Sequence, residues 1–221
     1  DGFQSFTERV IAESADGARW VHASDVDGDG DVDALSASIY DDTVAWYEND
    51  CATHAPTATP TPRPTVNCAS VAFSEHAITN SADGANVVYA TDVDGDGDVD
   101  ALSASYNDDT FAWYENDGSQ SYAERVITNS ADEAYHIYAI DVDGDGDADI
   151  LGASTNDNTV AWFENDGSQS FSEHIINLAA DGANSVFAID VDGDRDIDVL
   201  SASGRDDTVA WYENDGTESF T

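Results

Sequence analysis

Short strand-like segments alternate with turn residues along this chain. Within residues 136–176 the segments "HIYAID", "DILGAS", "TVAWFEN" and "SFSEHII" are rich in Val, Ile, Thr and aromatic residues. Turn residues separate them, in "DGDG", "TNDN" and "NDGSQ". In "TVAWFEN", Val160 and Trp162 share one face and Ala161 and Phe163 the other, so both faces are apolar, as in a sheet packed between two neighbours. No segment has a sustained helical period. The pattern predicts an all-β chain.

The same four segments recur four times. The aspartate-rich string that begins at Asp25 returns at Asp92, Asp141 and Asp190. The last two intervals are 49 residues, and the first is 67, which is 49 plus an insertion of 18. Four strands in each repeat of about 40 to 50 residues are typical of propeller blades. We therefore expect a β-propeller of four-stranded blades, with four repeats in this chain.

The repeats define the domain organisation. We treat residues 1–221 as a single repeat domain, with repeats at about 1–50, 69–117, 118–166 and 167–215. Residues 51–68 are the insertion, and residues 216–221 start a further outer strand. Each repeat runs from an inner strand through the aspartate loop to a second strand, a Trp strand and an outer strand. A small residue two positions before each aspartate string suits the crowded innermost strand: Ala23, Ala90, Ala139 and Ala188.

The two ends of the sequence leave the closure of the ring open. The chain begins with an outer strand at residues 5–11 and ends just after a Trp strand. This N-terminal strand would complete the last blade and remove a bare edge. Alternatively, it is donated to a neighbouring molecule, giving a fibre, or the chain is one period of a longer array, since "DGTESFT" at the tail matches "DGFQSFT" at the head. Four repeats fit a closed four-bladed ring, and two chains would make eight blades.

The insertion carries the two cysteines and all four prolines. Cys51 and Cys68 bracket it, without the spacing of a metal or redox site. They flank a hairpin, so we expect a disulfide, with two unpaired thiols as the alternative. A disulfide indicates an oxidising extracellular setting. Threonine among proline is typical of O-glycosylated segments, with a plain solvated loop as the alternative. The candidate acceptors are Thr53, Thr57, Thr59, Thr61 and Thr65.

The charge excludes two classes of partner. The chain has 47 Asp and Glu against six Arg and Lys, a formal net charge of −41. Nucleic acid and anionic membranes both need basic protein surface, so neither is expected to bind. No apolar run approaches the roughly 20 residues that span a bilayer, so membrane insertion is not expected. We expect a secreted or cell-surface protein.

Each aspartate string places five carboxylates in nine positions, where they repel one another unless a cation lies among them. Hard oxygen ligands at alternating positions favour calcium, and the glycines let the loop wrap tightly. We expect about one calcium per repeat, held by carboxylates at positions 1, 3, 5 and 9 and by the carbonyl of position 7. An acidic turn cluster of a salt-adapted protein is the alternative. The candidate ligands are Asp25, Asp27, Asp29, Asp31, Asp33, Asp92, Asp94, Asp96, Asp98, Asp100, Asp141, Asp143, Asp145, Asp147, Asp149, Asp190, Asp192, Asp194, Asp196 and Asp198.

These loops join two strands and lack the position-12 Glu of an EF-hand. They resemble the calcium loops of FG-GAP/VCBS-type repeats, as in the propellers of integrin alpha chains. The resemblance covers essentially the whole chain apart from the insertion and implies a calcium-stabilised β-propeller. "ALSAS" or "ILGAS" stands where the family has its GAP element. In the fourth loop Arg195 replaces a glycine, and we expect this site to be the weakest.

Nothing in the sequence supports catalysis. None of the five histidines has a nucleophile at a recognisable spacing, and the Glu and Trp of each Trp strand recur in every repeat, which indicates structural roles. We expect a non-catalytic extracellular protein with a structural or adhesive role, such as the repeating subunit of a surface assembly or filament. Its partners would be calcium, copies of itself, or other extracellular proteins or glycans.

Two other functions remain as alternatives. A lectin-like module would present a glycan site on loops that differ between repeats, and a polysaccharide-acting enzyme has no supporting residues. The candidate ligand face comprises Arg19, Trp20, Tyr135 and His136.

Overall fold

The computed structural model describes residues 8–49, 72–217 and 219–221. Cys51, Cys68 and the five candidate threonines lie outside these residues, so the disulfide and the glycosylation stay predictions. The strands of the described residues are β1 (Ala18–Ser24), β2 (Asp33–Ser38), β3 (Thr43–Asn49), β4 (Phe73–Thr79), β5 (Ala85–Thr91), β6 (Asp100–Ser105), β7 (Thr110–Asn116), β8 (Tyr122–Thr128), β9 (Ala134–Ile140), β10 (Asp149–Ser154), β11 (Thr159–Asn165), β12 (Phe171–Asn177), β13 (Ala183–Ile189), β14 (Asp198–Ser203) and β15 (Thr208–Tyr212).

The strands form antiparallel meanders, one for each repeat. Sheet I is β1-β2-β3-β4, sheet II is β5-β6-β7-β8, sheet III is β9-β10-β11-β12 and sheet IV is β13-β14-β15. The register repeats as well, since the leucine of the second strand faces the tryptophan of the Trp strand in every sheet, as Leu151 faces Trp162. The prediction of an all-β fold built from four-stranded repeats is confirmed for the first three sheets.

Sheet IV corrects the expectation of four strands in every blade. In the described residues it has three strands, and Phe220 forms a single bridge to Asn214 where a full outer strand pairs in the other sheets. The predicted N-terminal outer strand is also not formed in its described part, residues 8–11. Ile11 of this segment lines a groove on sheet I, and the described residues of the segment do not pair with β15.

Apolar side chains fill the space between successive sheets. One cluster joins sheets I and II, a second joins II and III, and a third joins III and IV. Each contains a tryptophan that is at most 1% exposed: Trp46, Trp113 and Trp162. The tryptophan of the fourth Trp strand, Trp211, differs from these three because it is 43% exposed.

The inner strands β1, β5, β9 and β13 contact one another in this order. The sheets are therefore arranged as propeller blades are, but the ring is open between sheets IV and I. No helix in the described part of the chain has the length and hydrophobicity needed to cross a membrane.

Candidate metal centres

Each aspartate string forms the turn between an inner strand and its second strand, so the four loops lie at the same end of their sheets. The position-1 carboxylate organises the turn. In the second loop the N–H of Gly95 donates to Asp92 Oδ1 at 2.8 Å and that of Gly97 donates to Asp92 Oδ2 at 3.0 Å. Asp141 and Asp190 accept the same pair of bonds in their loops.

The next two aspartates curl the loop further. Asp94 Oδ1 accepts from the N–H of Asp96 at 3.2 Å, and Asp96 Oδ1 accepts from the N–H of Asp98 at 2.9 Å. Each is a local turn that Asp favours, and the first, third and fourth loops repeat both bonds. Successive carboxylates are therefore held on one side of the loop.

Glycine is needed where the loop turns left-handed. In the first loop Gly28 and Gly30 have φ of 75° and 96°, a region that costs other L-residues energy. In the fourth loop Arg195 adopts φ of 88° at the position where the other three loops have glycine.

The folded loops bring three carboxylates together in each repeat. Ligand oxygens lie within 4.8 Å of one another at positions 1, 3 and 5 in the first, second and fourth loops, and at positions 1, 3 and 9 in the third. The groups are Asp25, Asp27 and Asp29; Asp92, Asp94 and Asp96; Asp141, Asp143 and Asp149; and Asp190, Asp192 and Asp194. The other predicted ligands, namely position 7 in every loop, position 9 in three loops and Asp145, lie outside these groups.

The position-9 aspartate has a structural role that the sequence alone did not indicate. Asp100 is 1% exposed, and its two oxygens accept from the N–H groups of Val93 at 2.9 Å and Asn116 at 2.8 Å. It therefore joins the start of its loop to the end of the Trp strand. The same pair of bonds is made in the other repeats by Asp33, Asp149 and Asp198.

Burial makes these anchoring carboxyl groups weaker acids than usual. Desolvation raises the pKa of Asp100 to about 7 and that of Asp149 to about 6, against the lowering effect of the two backbone N–H groups. Desolvation and the neighbouring carboxylates also raise the pKa of Asp27 and Asp94. The loops thus hold negative charge in a place where it is costly without a cation.

Within the described part of the chain, two buried carboxylate oxygens of the first loop are left without a hydrogen bond. Asp25 Oδ1 and Asp31 Oδ2 are inaccessible to solvent and have no hydrogen-bond partner among the described residues. A buried polar atom without a partner is unfavourable, and a bound cation is one way to satisfy it. The oxygens that the loops gather are carboxylate oxygens, which calcium prefers. The residues present therefore fit a hard divalent cation.

The hairpin between the Trp strand and the outer strand supports each loop. Asn116 Nδ2 donates to the carbonyl of Val99 at 3.1 Å, and a side chain on Gly118 would meet Asp98 Oδ2 at 2.5 Å. The Asn that ends each Trp strand therefore serves the aspartate loop, as does the "DG" that follows it in the second, third and fourth repeats. The signal for this role was in the sequence, since "END" recurs in every repeat.

The Glu of each Trp strand also has a structural role. Glu48 accepts from His76 at 3.0 Å, Glu164 pairs with His174 at 2.8 Å, and Glu115 accepts from Arg125 Nε at 2.9 Å. His and Arg can therefore replace each other at this outer-strand position, because both donate to the Glu.

The candidate ligand face lies at the other end of the inner strands. Arg19, Trp20, Tyr135 and His136 line one cavity of about 160 Å³, together with Asn86, Val87 and Asn184. The rings of Trp20 and His136 meet edge to face at 5.2 Å. Burial lowers the pKa of His136 to about 4, and its Nδ1 is buried without a partner among the described residues. The structure therefore brings these four predicted residues together.

Comparison with known proteins gives a family and a fold. The profile of the FG-GAP-like repeat matches residues 92–152 and again residues 141–201. Among solved structures, the chain is similar to a protein from Lactobacillus plantarum, with a TM-score of 0.55 and 13% identity over 92% of this chain and 54% of that one. It is also similar to the rhamnogalacturonan lyase YesW, with a TM-score of 0.49 and 14% identity over 95% of this chain and 40% of the lyase.

These likenesses are distant. At 13% identity the first one shows the fold alone, and this chain spans only about half the length of that protein. No curated protein sequence matches this chain.

Proposed function

This chain belongs to the FG-GAP-like repeat family, and from that premise we propose that it is a calcium-stabilised, non-catalytic extracellular propeller with a structural or adhesive role. The observation that carries the proposal is the aspartate loop itself. Four loops share the same backbone path and a buried anchor, and each gathers three carboxylates within 4.8 Å.

Bound calcium supplies the positive charge that offsets the repulsion between these carboxylates. The chain does the rest. Position 1 fixes the loop through two backbone N–H groups, positions 3 and 5 are held by local turns, and position 9 ties the loop to the Trp strand. A cation that binds only the folded loop stabilises the fold by about 2.7 kcal/mol for each site at a concentration 100 times its Kd.

An extracellular setting agrees with this chemistry. Calcium sites of extracellular modules work at Kd values of about 10⁻⁴ to 10⁻³ M, and calcium is abundant enough outside cells to fill them. The net charge of −41 favours solubility and makes cation binding more favourable at low salt.

Calcium titration calorimetry with loop variants tests the proposal. We expect binding by the wild-type chain, and one site fewer in the Asp94→Asn/Asp96→Asn double variant, which removes two of three gathered carboxylates. Glu124→Gln is the matched control, because it removes a negative charge from the exposed face of β8. The absence of calcium binding, or an equal loss in the control, would contradict the proposal.

A second candidate function is glycan binding at the cavity lined by the candidate ligand face. The observation that favours it is the convergence of Trp20, 41% exposed, with Tyr135 and His136 on one cavity of about 160 Å³. Aromatic faces bind sugar rings, and polar groups such as Asn86 and Asn184 orient them.

A glycan array distinguishes this candidate from a purely structural role. If the cavity binds glycans, Trp20→Ala abolishes the binding while Tyr40→Ala, at an exposed tyrosine outside the cavity, retains it. Binding that survives Trp20→Ala, or no binding by the wild type, removes the candidate.

A further inference from the structure

We propose that the uncovered faces of sheets I and IV dock on each other between two copies of this chain, in the same way that successive sheets pack within it. This deepens the structural role proposed above by naming the interface of the assembly. The tail face is the outward side of sheet IV, with Val209 and Trp211. The head face is the exposed part of the outward side of sheet I, with Ala18 and Val21; Tyr47, on the same side, is only 5% exposed.

The apolar side of the Trp strand is covered in sheets I to III and exposed in sheet IV. Repeat-equivalent positions of the Trp strand show the contrast. Val44, Phe111 and Val160 are at most 1% exposed, whereas Val209 is 81% exposed. Trp46, Trp113 and Trp162 are at most 1% exposed, whereas Trp211 is 43% exposed. The residues that pack on the next sheet in three repeats therefore have nothing to pack on in the fourth.

The head face shows the reverse contrast. Val21 is 69% exposed, but its equivalents Val88, Ile137 and Val186 are at most 1% exposed, since each packs against the preceding sheet. Beside Val21 lies an open groove of about 300 Å³ that is also lined by Ala18, by Tyr47 and, from the N-terminal segment, by Ile11. Within the chain, the equivalent space receives the Trp and Val of the preceding sheet.

Both ends also carry halves of a hydrogen-bond pair that every internal interface completes. The carbonyl of Asp42 accepts from the N–H of Ala82 at 3.2 Å, and its Oδ1 accepts from that of Gly84 at 3.0 Å. Asp109 and Asn158 accept the same two bonds at the next interfaces.

At the two ends of the described chain the equivalent groups do not make these bonds. Asp207 has the same left-handed backbone as Asp42, with φ of 56° against 57°, and Gly17 matches Gly84 with 72° against 71°. Among the described residues no N–H donates to Asp207, and neither Ala15 nor Gly17 donates to the preceding sheet. Asp207 of one copy thus fits Ala15 and Gly17 of the next.

The exposed edge of β15 fits the same partner. Arg9 stands at the repeat position of His76, Arg125 and His174, each of which pairs with the Glu of its Trp strand. In sheet IV that Glu is Glu213. When a second copy docks, its residues 8–12 lie along β15 as the missing outer strand, and Arg9 pairs with Glu213.

Mixing two variants tests the head-to-tail contact. Val209→Asp disables the tail face and Val21→Asp disables the head face, and both valines are exposed, so the chain still folds. By light scattering in millimolar calcium we expect the wild type to have at least twice the mass of one chain. Val209→Asp keeps only its head face and Val21→Asp keeps only its tail face, so neither variant associates alone. In their mixture the two intact faces meet and give a two-chain species. Val126→Asp, at an exposed valine of β8, is the control and associates as the wild type does.

Three results would overturn the interface. They are a calcium-bound, folded wild type that stays a single chain, association that survives both variants, and an equal loss in the Val126→Asp control. A single chain with Trp211 shielded from acrylamide quenching indicates that sheets I and IV close within one molecule. Because circular dichroism and calcium binding are measured on the same samples, failure of this interface is distinguishable from failure of the calcium proposal.

Discussion

At the scale of single residues, Arg195 is the clearest departure from the repeat. It adopts φ of 88° where Gly30, Gly97 and Gly146 have 96°, 99° and 102°. An added Cβ at any of these glycines meets no atom within 4 Å. The cost of a side chain here therefore comes from the backbone conformation and not from crowding, and such strain is worth about 1 to 3 kcal/mol.

Exchanging the two residues measures this strain. Arg195→Gly is expected to raise the free energy of unfolding by about 1 kcal/mol and to tighten calcium binding by the fourth loop, because the strain and a nearby positive charge are both removed. Gly146→Arg in the third loop is the reciprocal variant and should have the opposite effect. Urea unfolding measures both, and no change in either variant would contradict the strain.

The contribution of His136 to stability depends on pH. Burial lowers its pKa to about 4, below the usual value of 6.5. The folded state therefore binds fewer protons than the unfolded state, so the stability from neutral His136 is complete above about pH 6.5 and is lost as the pH falls toward 4.

His136→Gln is expected to remove this part of the dependence of the unfolding free energy on pH. The difference in unfolding free energy between wild type and variant should change by about 3 kcal/mol between pH 7 and pH 4. The control is His76→Gln, at a histidine on the exposed strand β4. Parallel pH profiles for wild type and His136→Gln would show that this histidine is not buried as described.

At the scale of elements, the aspartate loop combines a cation site with an anchor. Asp149 is fully buried and accepts from the N–H groups of Val142 at 3.0 Å and Asn165 at 2.8 Å. Asp145, in the same loop, lies at the exposed turn. The two aspartates belong to the same sequence string, but only the loss of Asp149 leaves buried backbone N–H groups without an acceptor.

Asp149→Asn is expected to destabilise the protein by about 1 to 3 kcal/mol even in chelator. The carboxylate accepts the two backbone N–H bonds with two oxygens, whereas the Asn side chain has only one acceptor oxygen. Asp145→Asn should have little effect without calcium. Thermal unfolding in chelator compares the two. Equal effects of both substitutions would mean that position 9 is not an anchor.

The strand pattern was predictable because it depends on local chemistry. The segment "DILGAS" was predicted at residues 149–154 and β10 spans the same residues, since its apolar run is bounded by turn residues on both sides. The two roles within the aspartate string were not predictable. Alternation at positions 1 to 9 is the same for exposed ligands and for a buried anchor, and only the packed fold shows that Asp100 reaches Asn116.

At the scale of the whole molecule, the sequence predicted four blades but could not decide how they close. The match between the head and the tail fits ring closure, a longer array and an assembly equally, because all three place the same two faces in contact. The structure separates these faces. It shows Trp211 exposed and Ile11 in a groove on sheet I, and these observations motivate the head-to-tail interface that we propose.

The most direct test of the whole account is thermal unfolding of the wild-type chain in millimolar calcium and again in chelator. If several loops each add a few kcal/mol when occupied, the midpoint falls by more than about 10 °C when calcium is removed. Magnesium at the same concentration should restore little of the loss, because it prefers fewer ligands and a stricter geometry. Identical melting curves in calcium and in chelator would contradict the central claim that cations hold these carboxylate loops in the folded protein.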